Sequence, residues 1–567
     1  MYKSLIYRAF FLFLPLFIHQ NGFACTNFLV TKGATTDGST MISYSADSHV
    51  LYGELYHWPA ASYPEGTMLK IYDWDSGKYL GEIKQARQTY NVIGNMNEYQ
   101  VSIGETTYGG LDELRDKTAI MDYGSLMYIA LQRSKSARQA IQIITSLMNE
   151  YGYFSSGESF SISDKNEVWI LEMISKGTHE KGAVWVARMI PDGYVSGHAN
   201  QARIMTFPQK YKDGGISHDQ LDKWYDPKVN TIYAKDVISF ARAHGFFSGK
   251  DEDFSFSDVY NPLDFGGARF CEARVWTVFR QMTDGMDQYL DYAEGKNLTN
   301  RMPLWIKPNK KLSVKDLMQF MRDHYQGTPL DMTGDVISGP YNKPYRWGPL
   351  TFTVDGEKYC HNRPVATQQT GFSFVSQSRS WLPDPIGGIL WFGLDDAGTT
   401  VYNPVFCSTY EVPQGYSRGY GSQLEFKEDA AFWVFNQVAN LAYTRYSLIT
   451  PVIIEKQQEL ENKYLVTADV MTDAALKLYQ TDLKLAVDFL NNYSYSELQR
   501  TLDSWRKLYG FLFAKYFDGN VKKTDGYKLL NNGYSDHIPP RPDQPGYGEE
   551  SYRQLINTTG DQLKVLE

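Results

Sequence analysis

Cys25 lies between an apolar leader and a segment that is typical of a β-strand, and no other feature constrains the chain as strongly. Residues 1–24 have the parts of a secretory signal sequence: basic residues, an apolar stretch over 9–18, and the small residues Gly22 and Ala24 before a cleavage point. Cleavage after Ala24 would leave a thiol and a free α-amine on one residue. The leader therefore predicts an exported protein, periplasmic or secreted, whose mature chain starts with a nucleophile that carries its own base.

Two other interpretations of Cys25 stay open. A lipoprotein signal also ends at a cysteine, but it usually has Leu three residues earlier, where this chain has Gly22, and a small residue where it has Phe23. Lipidation would acylate the α-amine and remove it as a base, and the protein would then be a ligand-binding surface lipoprotein anchored at Cys25. Cys25 could also be a structural cysteine that follows a signal site.

The composition limits the classes of function that this chain can have. The net charge of −9 over 567 residues gives no basic excess, so nucleic acid is not an expected partner. No apolar run after the leader is long enough for a transmembrane span. The other cysteines stand at 271, 360 and 407, so at most one disulfide can join them, and apolar burial must hold the fold together. The sequence leaves a homo-oligomer open.

The chain divides into two regions after the leader. Residues 25–428 are predicted to form the catalytic domain, in which Ser136 and Gln139 resemble a helix capping box and two later apolar runs predict a β-meander. Residues 429–567 have apolar residues at helical spacing, followed by a proline-rich segment. This pattern predicts a helical C-terminal region with an irregular tail. Strands on both sides of a helical stretch favour stacked sheets with helices outside.

A hairpin argument places a carboxylate near Cys25. An Asp-Gly turn signal separates two strand-like runs, and we assume that Thr31 pairs with Ser39 across it. Antiparallel pairing then puts Cys25 opposite Ser45. Asp47 lies two residues further along the strand, so its side chain would share the face of Cys25. A slip of one residue in the register would break this argument.

Other motifs in the sequence give weaker indications of function than Cys25 does. The segment Gly415-Tyr416-Ser417-Arg418-Gly419 matches the G-x-S-x-G nucleophile elbow, but that motif needs a strand before it and a helix after it. Its neighbours instead predict a surface loop. The acidic residues over 73–77 predict a turn, because a calcium loop needs twelve residues. No metal-binding motif or phosphate-binding loop is present, so no cofactor is expected.

Several segments carry a family resemblance. The mature start, Cys25-Thr26-Asn27-Phe28-Leu29-Val30, resembles that of the C69 family of dipeptidases, which belong to the N-terminal nucleophile hydrolase superfamily. The similarity continues in Asp37-Gly38-Ser39-Thr40, Asp47-Ser48, Gly104-Glu105-Thr106-Thr107, Ala199-Asn200-Gln201-Ala202-Arg203-Ile204, Ala273-Arg274-Val275-Trp276, Arg379-Ser380-Trp381-Leu382-Pro383 and Leu390-Trp391-Phe392-Gly393. The helical region from Ala431 also resembles that of the family, so the resemblance extends over nearly the whole mature chain.

The resemblance implies an α+β fold, a four-layer αββα sandwich, with the helical region from residue 429 as a C-terminal subdomain. It also implies a cysteine-type dipeptidase that hydrolyses short peptides through an acyl-enzyme on Cys25. An amidase for non-peptide amides, such as acylated amino acids or bile conjugates, is the alternative on the same fold. Members of the family often have a basic residue and an Asn shortly before the second-strand Asp, where this chain has Tyr44 and Ser45.

The resemblance further implies roles for the candidate catalytic residues Cys25, Asp47, Asn97, Asn200 and Arg274 and for the candidate substrate-binding residues Glu105 and Arg269. The Asn200 side chain and the backbone around Asn97 would stabilise an oxyanion. Asp47 would hold the α-amine or the thiol. Arg274, or Arg269 in its place, would steady the site or a substrate carboxylate, and Glu105 would bind a substrate amine. Turn, capping and ion-pair roles are the structural alternatives for these residues.

Overall fold

The computed structural model describes residues 25–565, so the predicted leader lies outside the described residues. Its strands are β1 Thr26–Val30, β2 Thr40–Asp47, β3 His57–Trp58, β4 Ala61–Ser62, β5 Met68–Tyr72, β6 Tyr79–Lys84, β7 Gln88–Thr89, β8 Val92–Ile93, β9 Met96–Asn97, β10 Ser102–Gly109, β11 Gly157–Ser163, β12 Val168–Ser175, β13 Ala183–Met189, β14 Val195–His198, β15 Gly215–Ser217, β16 Thr231–Tyr233, β17 Trp305–Ile306, β18 Thr351–Val354, β19 Glu357–Cys360, β20 Thr370–Ser378, β21 Gly388–Leu394, β22 Asn403–Phe406, β23 Thr524–Asp525 and β24 Lys528–Leu529.

The helices are α1 Tyr123–Arg133, α2 Ala137–Tyr151, α3 Val237–Ala243, α4 Phe256–Tyr260, α5 Ala273–Met282, α6 Leu290–Ala293, α7 Val314–Phe320, α8 Asp384–Gly387, α9 Ala431–Thr444, α10 Tyr446–Tyr479, α11 Leu483–Tyr516 and α12 Glu549–Thr559. The predicted helix start is confirmed, because the Ser136 side chain accepts a hydrogen bond from the Gln139 N–H and caps α2. The predicted meander is formed by β12 and β13, which pair antiparallel. No helix in the part of the chain from 25 to 565 is both long and apolar enough to cross a bilayer.

Two large sheets organise the molecule. One has seven strands in the order β17-β14-β1-β2-β20-β21-β22, and the other has nine in the order β15-β16-β13-β12-β11-β10-β9-β8-β3. Strands β1 and β2 of the first sheet contact β10 and β11 of the second, so the two sheets face each other there. The described chain is therefore an α+β protein, and Cys25 precedes a strand at this contact between sheets.

Helices cover both sheets. Helix α2 contacts β11, β12 and β13 of the nine-stranded sheet, and α1 contacts β10. Helices α9 and α11 contact β21 and β22 of the seven-stranded sheet. The apolar positions that predicted a helix, Leu502, Trp505, Leu508 and Leu512, are all buried on α11 and belong to the same core cluster as the strands. The boundary at residue 428 remains a prediction.

The predicted register of the first hairpin is wrong by one residue. Thr26, not Cys25, lies opposite Ser45, and Asn27 lies opposite Tyr44. The connection between the strands is long and contains a 3₁₀ turn over Lys32–Ala34, so the Asp-Gly signal does not fix the pairing as a tight two-residue turn would. Because side chains alternate along a strand, the slip puts Tyr44 on the face of Asn27 and Cys25.

Candidate active site

Cys25 is buried directly before β1, with 6% of its surface exposed. Its Sγ lies 3.3 Å from Oε1 of Glu105 and 3.8 Å from the hydroxyl of Tyr44. Burial raises the pKa of the thiol well above its usual value, and the negative charges of Glu105 and Asp47 raise it further, although the Asp47 N–H opposes them. The thiol is therefore protonated at neutral pH in this state of the molecule.

Arg274 fixes the main chain of Cys25. Its Nη1 donates to the Cys25 carbonyl at 2.7 Å and to Thr26 Oγ1 at 2.8 Å. Its Nη2 donates to Ala199 O at 3.1 Å and to Asn200 Oδ1 at 2.8 Å, and Nε donates to a carbonyl of its own helical turn. These bonds use the five donors of a guanidinium. Arg274 is thus committed to positioning Cys25 and Asn200, and a substrate carboxylate would have to displace one of these bonds.

Asp47 lies beside Cys25 although the predicted register of β1 and β2 is wrong by one residue. A β-bulge follows Ala46, since Ala46 pairs with Phe372 and Asp47 with Thr370. The carboxylate accepts from Thr370 Oγ1 at 2.7 Å, and Arg363 Nη2 lies 3.8 Å away. Burial raises the pKa of Asp47 to about 6, although Arg363 and Thr370 both lower it. The site therefore holds a carboxyl group that titrates close to neutral pH.

Glu105 lies on an open part of β10. That strand pairs with β9 only where Ser102 meets Met96, and beyond this point Asn27 Nδ2 donates to the Glu105 carbonyl at 2.7 Å. Gly104 permits this approach, because a Cβ there would lie 2.4 Å from Asn27 Oδ1. Glu105 accepts hydrogen bonds from the Tyr44 hydroxyl and the Cys25 thiol. The predicted substrate-binding carboxylate is thus in direct contact with the predicted nucleophile.

A second carboxyl group, Glu158, lies next to Glu105. The register pairs Thr107 of β10 with Glu158 of β11, so the two glutamates share one face of the sheet. Glu158 accepts from Thr107 Oγ1 at 2.9 Å. Burial and the charge of Glu105 raise the pKa of Glu158 well above its usual value. Glu158 is therefore held as a neutral acid beside Glu105.

The two asparagines lie in different settings. Asn200, with φ of +61°, donates from Nδ2 to Thr107 O at 2.6 Å and accepts from Arg274, so it lies in the network around Cys25. The Asn97 side chain instead donates to the carbonyls of Leu131 and Ser134, at 2.7 and 2.8 Å. Its N–H donates to Val101 O at 3.0 Å. All the donors of Asn97 are thus engaged in a turn and a helix end, which does not support the predicted oxyanion role of this residue.

The remaining candidates lie outside the contacts of Cys25. Arg269 is half-buried on a π-helical turn over Gly267–Glu272, and its Nε has no acceptor among residues 25–565. Ser417 follows a 3₁₀ turn over Gln414–Tyr416 and donates to Gln414 O at 2.8 Å. No regular strand or helix flanks it as a nucleophile elbow requires, so the interpretation as a surface loop is confirmed.

Sequence reasoning missed three residues of this site. In the sequence Tyr44 is only a departure from the family pattern, and the predicted strand register places its side chain on the face away from Cys25. Glu158 has no motif of its own and joins the site only through strand pairing. Arg363 is far from Asp47 in sequence and reaches it by tertiary folding. Within residues 25–565 no group of three His, Cys, Asp or Glu side chains is placed to hold a metal ion, and the four cysteines are free thiols.

Comparison with known proteins gives the class. The sequence profile described as Peptidase family C69 matches residues 52–459, so the chain belongs to this family and is a hydrolase of peptide bonds. The match begins after Cys25 and Asp47.

Curated relatives are similar over most of their length. A probable dipeptidase of Latilactobacillus sakei is 23% identical over 80% of this chain and 88% of its own. A probable dipeptidase of Salmonella dublin is 24% identical over 70% of this chain and 84% of its own. A probable dipeptidase B of Streptococcus pyogenes serotype M1 is 21% identical over 84% of this chain and 90% of its own.

Proposed function

We propose that this peptidase is an exported dipeptidase that uses Cys25 as an N-terminal nucleophile. The observation that carries the proposal is the buried Cys25 thiol, held before β1 by the bonds from Arg274 to its carbonyl and contacted by Glu105. The names of the curated relatives support the substrate class. The two facing sheets with helices outside fit the four-layer αββα sandwich of N-terminal nucleophile hydrolases.

The proposed reaction starts once the leader has been removed. The α-amine of Cys25 accepts the thiol proton, the thiolate attacks the first carbonyl of the peptide, and an acyl-enzyme forms as the leaving amine takes up the proton. Water then hydrolyses the acyl-enzyme. Asp47 would hold the α-amine, since its charge acts on the Cys25 thiol and burial raises its own pKa to about 6. The free N–H of the Asn200 amide is the proposed oxyanion donor, because one of its two hydrogens is left by the bond to Thr107.

The test compares two single substitutions in the mature protein. Cys25→Ala should abolish dipeptide hydrolysis and leave the thermal unfolding temperature nearly unchanged. The matched control is Ser417→Ala, which should be fully active. If the Cys25→Ala protein keeps more than a few per cent of the activity, the nucleophile lies elsewhere.

A second test separates the amine from the thiol. A protein with one Gly fixed before Cys25 keeps the thiol, but its α-amine becomes an amide that cannot take up a proton. General-base assistance contributes about 10²- to 10⁴-fold, so hydrolysis should fall at least about a hundredfold. Removal of the Gly by an added protease should restore it. A lipid mass increment on Cys25 of the exported protein would instead support the lipoprotein interpretation.

A further inference from the structure

Two groups that hold the Asp47 carboxylate come from one stretch of the chain. Arg363 Nη2 lies 3.8 Å from Asp47 Oδ2, and Thr370 Oγ1 donates to Asp47 Oδ1 at 2.7 Å. Arg363 belongs to the loop over residues 361–369, and Thr370 is the first residue of β20, directly after this loop. The position of the loop therefore sets the position of the Asp47 carboxylate.

Arg363 is buried although it carries a charge. Its exposed fraction is 7%, and burial together with the nearby charge of Arg274 lowers its pKa to about 10, so it is still a cation at neutral pH. A buried cation is costly unless a carboxylate compensates it, and the charge of Asp47 does so for Arg363. Burial raises the pKa of Asp47, and of the groups that oppose this rise Arg363 has the largest effect. The guanidinium and the carboxylate thus stabilise each other's charge.

The hydroxyl of Tyr325 fixes the main chain at Arg363. It donates to the Arg363 carbonyl at 2.6 Å, and Tyr325 is fully buried. The backbone of Tyr325 has a φ of +65°, a left-handed conformation that is rare for a bulky residue. A residue in this conformation is strained, and it persists only where the surrounding structure fixes it. The fold therefore maintains the direction of this hydroxyl against a local cost in backbone energy.

Asp323 connects the same segment to α5. Its Oδ2 accepts from Gln281 Nε2 of α5 at 2.7 Å, and its carbonyl accepts from the N–H of Ala366, in the loop, at 3.0 Å. Helix α5 also carries Arg274, which holds the main chain of the proposed nucleophile. Residues 323–325 thus form a brace between the helix that fixes the nucleophile and the loop that fixes its neighbouring carboxylate.

We propose that Arg363 is a positioning residue for the reaction, which holds the ionised Asp47 carboxylate at the α-amine of Cys25. Tyr325 is a second positioning residue, because it holds Arg363. The proposal rests on the proposed function, in which Cys25 is the nucleophile and Asp47 the partner of its amine. Neither positioning residue has to touch the substrate, since each acts through the group that it holds. Without the guanidinium, Asp47 would take up a proton more readily and the α-amine would lose its anionic partner.

Other charged and titratable groups lie around Asp47. Arg274 acts on it from α5, and it lowers the pKa of Asp47 less than Arg363 does. On the side of the thiol, the charges of Glu105 and Asp47 both raise the pKa of Cys25, after the larger effect of burial.

His49 is a second group that could titrate in the same pH range. It follows Asp47 by two residues, and burial and the charge of Arg363 lower its pKa. An imidazole changes its charge at mildly acidic pH, as the Asp47 carboxyl group does. The experiment must therefore distinguish the titration of Asp47 from that of His49.

The experiment measures the pH dependence of dipeptide hydrolysis by the mature enzyme. An adjacent cation lowers the pKa of a carboxyl group by about 1–3 pH units, so Arg363→Gln should move the acid limb of kcat/KM from near pH 6 to about pH 7 or above. Such a move lowers kcat/KM at least about fivefold at pH 6, and the loss should be smaller at pH 8. Arg363→Lys keeps the cation, so its acid limb should stay close to that of the wild type.

Tyr325→Phe tests the second positioning residue with a milder change. It removes one hydroxyl and keeps the ring, and it should move the acid limb in the same direction as Arg363→Gln, with a fall in kcat/KM of about threefold at pH 6. Tyr260→Phe is the matched control, because Tyr260 is equally buried and its hydroxyl donates to Val237 O of α3 at 2.6 Å. Both variants should lower the unfolding temperature by similar amounts, but Tyr260→Phe should leave the pH profile unchanged.

The outcomes separate the two roles from each other and from the proposed function. An acid limb of Arg363→Gln at the wild-type position would overturn the role of Arg363, as would an acid limb that disappears in His49→Gln. Identical pH profiles of Tyr325→Phe and Tyr260→Phe would overturn the role of Tyr325, and this comparison is decisive even if Arg363→Gln does not fold. A fully active Cys25→Ala enzyme would overturn the proposed function instead.

Discussion

At the residue scale, one arginine and one carboxyl group set the geometry of Cys25. Arg274 is fully buried and holds the Cys25 carbonyl, while Asp47 lies next to the thiol and to Arg363. Because burial raises the pKa of Asp47 to about 6, its charge develops as the pH rises through that value. The site therefore combines a fixed backbone with a carboxyl group that changes its charge within the working range of most enzymes.

The substitution Asp47→Asn should show the effect of the Asp47 charge on catalysis separately from its effect on the stability of the fold. We expect kcat to fall at least about tenfold, because the α-amine loses its anionic partner, and the acid limb of kcat/KM that we predict near pH 6 should disappear. The folded-state pKa of Asp47 lies above its unfolded value, so the ionised group costs stability as the pH rises above about 4. The neutral amide should therefore not lower the unfolding temperature at pH 7. A pH–rate profile with an unchanged acid limb would argue against the role of Asp47.

At the scale of elements, the site depends on two strands from different sheets that approach closely. Asn27 of β1 donates to the main chain of β10, and Gly104 leaves the space for this contact. The one-residue shift of the hairpin then decides which side chain of β2 faces Cys25. The approach of the strands, more than any single motif, brings Glu105 to the thiol.

Gly104→Ala should disturb this approach. The added Cβ would lie 2.4 Å from Asn27 Oδ1 and 3.1 Å from the Tyr44 Cβ, and overpacking of this kind costs about 1–3 kcal/mol. We expect a lower unfolding temperature together with a loss of activity. Gly510→Ala, within the last two turns of α11, is the control, because no atom other than the backbone of its own helix lies within 4 Å of a Cβ added there. It should stabilise the protein by about 0.5–1 kcal/mol, since Ala is a better helix former. Equal effects of the two substitutions would contradict the close approach.

At the scale of the whole molecule, the core encloses acidic groups that oppose folding at high pH. Burial raises the pKa of Glu105, and burial together with Glu105 raises that of Glu158. A carboxyl group whose folded-state pKa lies above its unfolded value stabilises the fold only while it is protonated. Stability from these groups is thus present at acidic pH and is lost as the pH rises above the usual glutamate value of about 4.3.

Glu158→Gln should change this pH dependence. The amide needs no proton to remain neutral, so the unfolding temperature of the variant should exceed that of the wild type at pH 8. The difference should shrink as the pH falls towards 4, where Glu158 is protonated in both states. Thermal unfolding of both proteins over this pH range tests the prediction, and a difference that grows on acidification would show that the sign is wrong.

Much of the molecule follows from the sequence, because the patterns concerned are local. The helix after Ser136, the β12–β13 meander and the helices after residue 430 depend on capping groups and on apolar spacing within one segment. The start of a strand at Thr26 is equally local. Family membership also follows from segments that can be read along the chain.

The composition of the site was decided by the tertiary structure. The register between β1 and β2 depends on a long loop and on packing between two sheets, so local patterns could not decide whether Ser45 or Tyr44 is the neighbour of Cys25. Glu158 and Arg363 reach the site through pairings between segments distant in the chain, and the donors of Asn97 are used by carbonyls of α1 and the turn after it. Sequence patterns record what neighbouring residues prefer, whereas the contacts around Cys25 depend on which distant strands pack together.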